Sequence, residues 1–457
     1  MIDTDSASDI AERYPRPAYA WYVAILLMPF YVLSFMDRII IAVLIEPIKA
    51  DLALTDVQIS LLGGLSFAIF YSIVGIFIGR LADSMNRPLL IAIGVFLWSL
   101  TTALCGFVGR FWQLLLLRMG VGLGESALLP STISLLADYF PPKRVATPTS
   151  VFLFGAPIGI GLSFAIGGYL LSTAQEITVA QSWGTVPIVG GMAAWQLVLF
   201  FLGTIGIAMT LVLATVREPR NAIRGSAGGQ SSTARTAEPA RLHDVADYAK
   251  RNAIAIWTLY FGMALISLAA YAQGIWDYTF LSRTYGIEPA EIGWRYGMVQ
   301  MGGGLSGMFL AGLISDRLSA RGIEAASLRM VIIGCAISAP FSFLYPLADS
   351  PGSSLSLMFI AIFGSNMGFA CAASAIQRMF PGSMLGLAAG IYYFISNAIG
   401  MGVGPTAVAA LTDYLYQDPG MIRYSLMWVG GTSRVLAFAL ILAGFPAYRR
   451  LLRQRAR

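Results

Sequence analysis

SFMDRIIIAVL, residues 34–44, sets Asp37 and Arg38 side by side in a run that is otherwise almost wholly apolar. At the centre of a membrane helix either charge costs about 2.5–3.5 kcal/mol on insertion scales, so the pair is either close to water or kept for a purpose. The run closes a longer apolar segment, about 19–44. At 1.5 Å per residue that segment is long enough to cross a hydrocarbon layer of about 30 Å. Read as a membrane span, it commits the rest of the chain to the same solvent.

The composition agrees. Of 457 residues 57% are hydrophobic and only 12% are charged, which describes an all-α polytopic membrane protein rather than a soluble one. Twelve apolar segments are long enough to span, near 19–44, 57–82, 88–108, 111–137, 147–172, 194–215, 253–281, 290–314, 328–347, 355–377, 385–411 and 425–447. The longest polar interval, 217–252, contains REPRNAIRGSAGGQSSTARTAEPARL and divides them six and six. The expected organisation is an N-terminal segment 1–18, a six-helix bundle 19–216, a flexible basic linker 217–252, a second bundle 253–447 and a basic tail 448–457.

Lys and Arg orient the spans. With the N-terminus in the cytoplasm, 22 of the 30 basic residues fall in cytoplasmic segments and five outside, Lys49, Arg110, Arg283, Arg295 and Arg423. Both termini are thus expected on the cytoplasmic side of the cell (inner) membrane. This distribution accounts for the net charge of +6 as a topology signal, so nucleic acid is not an expected partner. Cys105, Cys335 and Cys371 lack CxxC or CxH spacing, and His243 is the only histidine. No metal site, cofactor or His-based catalytic constellation is expected. The polar, acidic start MIDTDSASDIAERYPRP differs from a cleaved signal, so the first apolar run is expected to stay in the mature chain.

The halves echo one another. GRLAD (79–83) recurs as GLISD (312–316), FPPKR (140–144) as FPGSM (380–384) and GAPIG (155–159) as GVGPT (402–406), in order and at offsets of 233, 240 and 248. Landmarks on matching helices imply parallel repeats about an axis along the membrane normal. GGGLSG (302–307) fits a dinucleotide fingerprint but falls inside an apolar span, where helix packing is the better reading.

Six plus six helices, the turn GRLADSMNRP after the second and the Gly/Pro segment of the fifth together resemble the major facilitator superfamily of secondary transporters. FMDRIIIAVLIEPIKADLALTDVQISLLGGLSFAIFYSIVGIFIGRLADSMNR, RMGVGLGESALLPSTISLLADYFPPKR and VREPR resemble its Spinster-like branch, whose animal members export sphingosine 1-phosphate or carry lysolipids. The resemblance implies two pseudo-symmetric bundles, conformational gating at Gly79, Asp83, Arg87, Asp316 and Arg317, and a chain that works as a monomer. It departs from the family at Ser84 and Asn86, which thins the expected charge relay to Asp83, Arg87 and Arg80.

Arg118 and Glu125 are seven residues apart, so they share nearly one face of the fourth helix about 10 Å apart along its axis. Counting the rise inward from the helix ends puts Asp37 about 13 Å and Arg118 about 10 Å below the same surface. The family places the first and fourth helices along the cavity, which makes an Asp37/Arg118 pair the expectation, with Glu125 deeper near the midplane. Arg38 is turned about 100° from Asp37 and either snorkels or meets substrate. Asp37 is expected to face the cavity first, with Arg38 assisting. In this reading Arg38 and Arg118 attract an anionic group, while Asp37 and Glu125 bind a proton or an amine. Asp277 and Arg434 are expected near the outer ends of their helices. Gln273, Asn366, Gln377 and Asn397, with the aromatic cluster Tyr392, Tyr393 and Phe394, are weaker cavity candidates.

The expected activity is proton-coupled alternating access for an amphipathic lipid with a charged head, the substrate coming from the resemblance. A proton-coupled symporter of small organic anions and a non-transporting receptor are the alternatives.

Overall fold

The computed structural model describes residues 14–141, 144–179, 190–219 and 242–456. Twelve of its helices are long and apolar enough to cross a membrane. They are α1 (Pro17–Val43), α2 (Asp56–Ser60, a π-helical turn Leu61–Leu65, then Ser66–Ser84), α3 (Arg87–Leu104), α4 (Phe111–Glu125 and Leu128–Tyr139), α5 (Ala146–Leu153 and Gly155–Val179) and α6 (Ala194–Thr210). In the second half come α7 (Ala253–Tyr285), α8 (Pro289–Ala320), α9 (Ala326–Leu344), α10 (Pro351–Met379), α11 (Gly382–Ala410, ending in a π-helical turn Leu411–Tyr416) and α12 (Ile422–Ala456). The described residues contain no strand. GGGLSG lies within α8, so the dinucleotide reading falls away.

Two interruptions follow from proline. Pro130 has no N–H for the carbonyl of Ser126, and its ring would strike that carbonyl; α4 breaks at Ser126–Ala127, directly after Glu125. Pro157 does the same to Leu153, and α5 breaks at Phe154.

The apolar cores report how the halves meet. At the end opposite the chain termini a single core runs through both bundles, from Ile41, Leu62 and Phe164 to Trp276, Tyr296 and Leu426. Towards the termini it divides. One core is confined to the second bundle, around Tyr260, Cys371 and Tyr448, and the other to the first bundle apart from Met401 and Tyr271, around Phe30, Trp98 and Tyr139. The bundles are therefore joined at one end and separate at the other.

Glycines make that junction possible on α5 and α8. A Cβ at Gly293 would lie 2.3 Å from the Phe164 carbonyl oxygen, and one at Gly297 would lie 2.5 Å from that of Gly161. Only residues without a side chain let the two backbones come so close.

Polar contacts seal the same end. Arg283, in the last turn of α7, donates to Asp56 Oδ2 at 2.8 Å and Oδ1 at 3.0 Å, and to Glu46 at 2.8 Å. Lys49 also bonds Asp56. The Val57 N–H donates to Asp413 at 2.9 Å, and Ser60 bonds Thr406 at 3.3 Å. These bundle-to-bundle hydrogen bonds all lie at this end.

Two expected boundaries change. Residues 448–456 are the final turns of α12 rather than a free tail, because Tyr448 and Leu451 continue its buried stripe and the Tyr448 hydroxyl bonds the Ala375 carbonyl at 3.0 Å. The last ten residues of the expected linker form a helix, Leu242–Arg251, which buries Val245 and ties Tyr248 to the Met379 carbonyl at 2.6 Å. Residues 220–241 of that linker lie outside the described residues.

Candidate functional site

The four charges singled out in the first half converge inside its bundle. Asp37, Arg38, Arg118 and Glu125 are 2%, 5%, 0% and 1% exposed, so each must find its partners in protein. They form two pairs. Arg118 of α4 donates to Asp37 Oδ1 at 3.3 Å and to the Asp37 and Arg38 carbonyls at 3.2 and 3.3 Å, while Thr102 of α3 donates to Asp37 Oδ2. Arg38 donates to Glu125 Oε2 at 2.7 Å, and Ser34, one turn earlier on α1, donates to the same oxygen at 2.7 Å.

The rotation between chain neighbours decides which charge faces the other bundle. Asp37 is turned into its own bundle, towards α3 and α4. Arg38 points between α2 and α4, with Tyr271 of α7 beside it. The expectation has Asp37 facing the cavity first with Arg38 assisting; here Asp37 lies against α3 and α4, and Arg38 lies beside Tyr271. The shared face of Ser34 and Arg38, four residues apart, settles on Glu125 and leaves Asp37 about 100° away.

Arg38 is also held by rings. Its guanidinium carbon lies 4.6 Å from the centroids of Phe35 and Phe67 and 4.8 Å from that of Tyr71. Such contacts bring about 0.5–2 kcal/mol each when water is excluded, and they fix the plane of the guanidinium. Bonding capacity is left over: among the described residues, Glu125 Oε1, Arg38 Nε and Arg118 Nε have no partner. One acceptor and one donor therefore lie beside the Arg38–Glu125 pair at the proline break of α4.

The second half holds a polar cluster that the sequence reading put at the helix ends. Asp277 and Arg434 are both fully buried within the bundle. Asp277 accepts from Tyr296 at 3.0 Å and Tyr345 at 2.7 Å. Arg434 donates to Ser365 at 3.0 Å, to the Gly430 carbonyl at 3.3 Å and to Gln273. The remaining candidates scatter: Asn366 bonds its own helix at Ile362, Asn397 is half-buried, Gln377 is exposed, and Tyr392 is buried while Tyr393 and Phe394 are exposed.

Of the gating residues, Arg87 is fully enclosed. It bonds Glu218 through its N–H at 2.8 Å and again through its guanidinium, and reaches Asp138 at 2.6 Å and the Ser134 carbonyl at 2.8 Å. It thereby ties the start of α3 to the end of α4 and the exit from α6. Asp138 and Glu218 are not among the sequence candidates, although the stretches LLADYF and VREPR carry them. Gly79 and Asp83 belong to α2, and the surroundings of both lie outside what the structure describes. Asp316 and Arg317 are exposed and make no ion pair among the described residues. The ionic tie of the second half is Glu324 instead, which accepts from Arg453 at 2.9 Å and Arg449 at 3.0 Å. These bonds, Arg453 first, hold its carboxyl below the usual glutamate range. No group of His, Cys, Asp and Glu suited to a metal ion occurs among the described residues.

The sequence model of the Major Facilitator Superfamily matches residues 27–405. The chain is 30% identical over 462 residues to an MFS-type efflux pump of Mycolicibacterium smegmatis, covering 100% of this chain and 98% of that one. It is 25% identical over 431 residues to the sphingosine-1-phosphate transporter SPNS2 of Danio rerio, covering 90% and 80%. Among solved structures, a bacterial homolog of the human lysosomal transporter Spinster, in an inward-facing and unoccupied conformation, superposes with a TM-score of 0.77 at 25% identity, covering 96% of this chain and 98% of that one.

Proposed function

Because the chain belongs to the Major Facilitator Superfamily as a Spinster-like transporter, not an enzyme, we propose that it moves an amphipathic lipid with a charged head by proton-coupled alternating access. The lipid is of the sphingosine 1-phosphate or lysophospholipid kind. The observation that carries this reading is the Arg38–Glu125 pair, buried, caged by three rings and keeping a free acceptor and donor.

The chemistry follows from charge. Ionised Glu125 neutralises Arg38. A proton on Glu125 cancels that partner and leaves the guanidinium for a phosphate or carboxylate, which a planar fork binds with two parallel hydrogen bonds. The Asp37–Arg118 pair behind it keeps α1 and α4 in register while the partners exchange. With both termini in the cytoplasm, as the Lys and Arg distribution supports, the junction at the opposite end closes the outside and the site opens inward. Rocking about that site would break the Arg283–Asp56 contact and let the terminus-side ends meet. One chain supplies every group, so the transporting unit is a monomer in the cell (inner) membrane.

Proteoliposomes with an imposed proton gradient test the reading. Saturable lysolipid or sphingosine 1-phosphate flux that follows the gradient is expected. Saturable uptake of small hydrophilic acids, unaffected by lysolipids, would overturn it in favour of an organic-anion symporter. Binding without flux of either would make the protein a receptor.

A further inference from the structure

The transport reading leaves one buried carboxylate unused. Asp277 of α7 takes a hydroxyl on each oxygen, from Tyr296 of α8 and from Tyr345 in the turn that follows α9. Asp37 and Glu125 each have a guanidinium in bonding range, at 3.3 and 2.7 Å. Asp277 has no such cation among the described residues. The nearest, Arg434 of α12, spends its donors on Gln273, Ser365 and Gly430. The titratable or charged groups that face Asp277 are Tyr296, Tyr345 and Arg434. From α10 come only the hydroxyls of Ser354, bonded to the Tyr345 carbonyl, and Ser365, and α5 presents Phe164. Among the described residues α1 and α11 add no charge there.

An ionised carboxylate without a cation is expensive in a bilayer interior, whereas a protonated one is not. Tyrosine hydroxyls suit both states, because each can donate to the anion or accept from the acid. The position is not arbitrary either. Asp277 falls 240 residues after Asp37, in register with the repeat, and takes a hydroxyl from the turn after the third helix of its half as Asp37 does from the third helix itself. Tyr296 also lies on the α5–α8 junction, one residue from Gly297, with its ring 4.6 Å from that of Phe164. Gln300, half-buried, donates to the Tyr296 hydroxyl and extends the hydrogen-bonded chain along α8.

We propose that Asp277 is a proton-binding site of the second bundle, whose occupancy is coupled through Tyr296 to the opening and closing of the α5–α8 junction. Loading adds one proton from water to a carboxylate oxygen and changes no other covalent bond. The purpose assigned to it rests on the transport reading, but proton binding is measurable without any substrate.

Full-length protein reconstituted in vesicles is titrated while infrared difference spectra follow the carboxylic-acid C=O band. The wild type should show a titrating band with a component that Asp277→Asn removes and that Asp37→Asn and Glu125→Gln retain. Tyr345→Phe, should Asp277→Asn fail to fold, is expected to displace the midpoint of that component by about one pH unit or more, the size of one hydrogen bond to a charged group. An unchanged band in Asp277→Asn, an unmoved midpoint in Tyr345→Phe, or a titration that depends on sodium rather than potassium chloride would overturn the assignment. Loss of lipid flux with the Asp277 band intact would strike the transport reading alone.

Discussion

Asp37 and Arg38 adjoin in the chain and share no side-chain partner: Asp37 meets Arg118 at 3.3 Å, while Arg38 meets Glu125 at 2.7 Å. Neighbouring opposite charges on one helix thus serve separate pairs, and removing either should have a distinct effect.

Glu125→Gln keeps the shape of the site and its hydrogen-bonding oxygen but cannot release a proton. The variant should fold and lose the pH dependence of transport, measured as initial flux across a series of external pH values. Glu125→Ala should in addition destabilise the protein by about 3–5 kcal/mol, the cost of leaving one member of a buried pair alone. Unchanged pH dependence in Glu125→Gln would remove this residue from the coupling.

Arg283→Ala deletes the two-pronged contact with Asp56 and the bond to Glu46. Charge-assisted bonds of this kind contribute about 1.5–3 kcal/mol, so the population closed at the end opposite the termini should fall about ten- to a hundredfold relative to the open one. Spin-label distances between the start of α2 and the end of α11 report it directly: a new, longer distance is expected.

Gly293→Val puts a branched side chain where even a Cβ would lie 2.3 Å from the Phe164 carbonyl oxygen. The variant should insert and remain folded, with overpacking of about 1–3 kcal/mol, and hold α5 and α8 apart. Slowed transport together with a lengthened α5–α8 distance is the expected pair of readouts. A normal rate would show that the close approach is not needed for the cycle.

Glu324 carries a lowered carboxyl pKa because Arg453 and Arg449 bond its anion. A depressed acid contributes stability that is complete above its ordinary value and is lost as the pH falls through the folded one. Amide protection at the end of α12, taken as hydrogen exchange relative to the intrinsic rate at each pH, should therefore hold as the pH drops through the ordinary glutamate range and fall only below it. Glu324→Gln should abolish that step.

The fold was legible because a membrane span is a local property: twelve apolar stretches of sufficient length name twelve helices. Meeting points were legible only where one coordinate suffices. Depth, at 1.5 Å per residue, was enough to bring Asp37 to Arg118. Rotation was not, since whether Asp37 or Arg38 turns outward depends on where Ser34, Thr102 and Glu125 lie around the helix. Asp277 was misplaced because its distance from the end of α7 at Tyr285, about 12 Å, resembles a shallow charge. The offset of 240 from Asp37 was the better signal. Arg87 gathers Asp138 and Glu218 from segments 51 and 131 residues away, a convergence that no local pattern encodes.

The continuous apolar core at the end opposite the termini has a thermal consequence. Opening that end wets surface now shared by Ile41, Leu62, Phe164, Trp276 and their neighbours, so the step takes up heat capacity. Hydrophobic adhesion weakens on cooling. The form open at that end should accordingly gain population in the cold, and the balance between the two faces should curve with temperature instead of following a straight van't Hoff line.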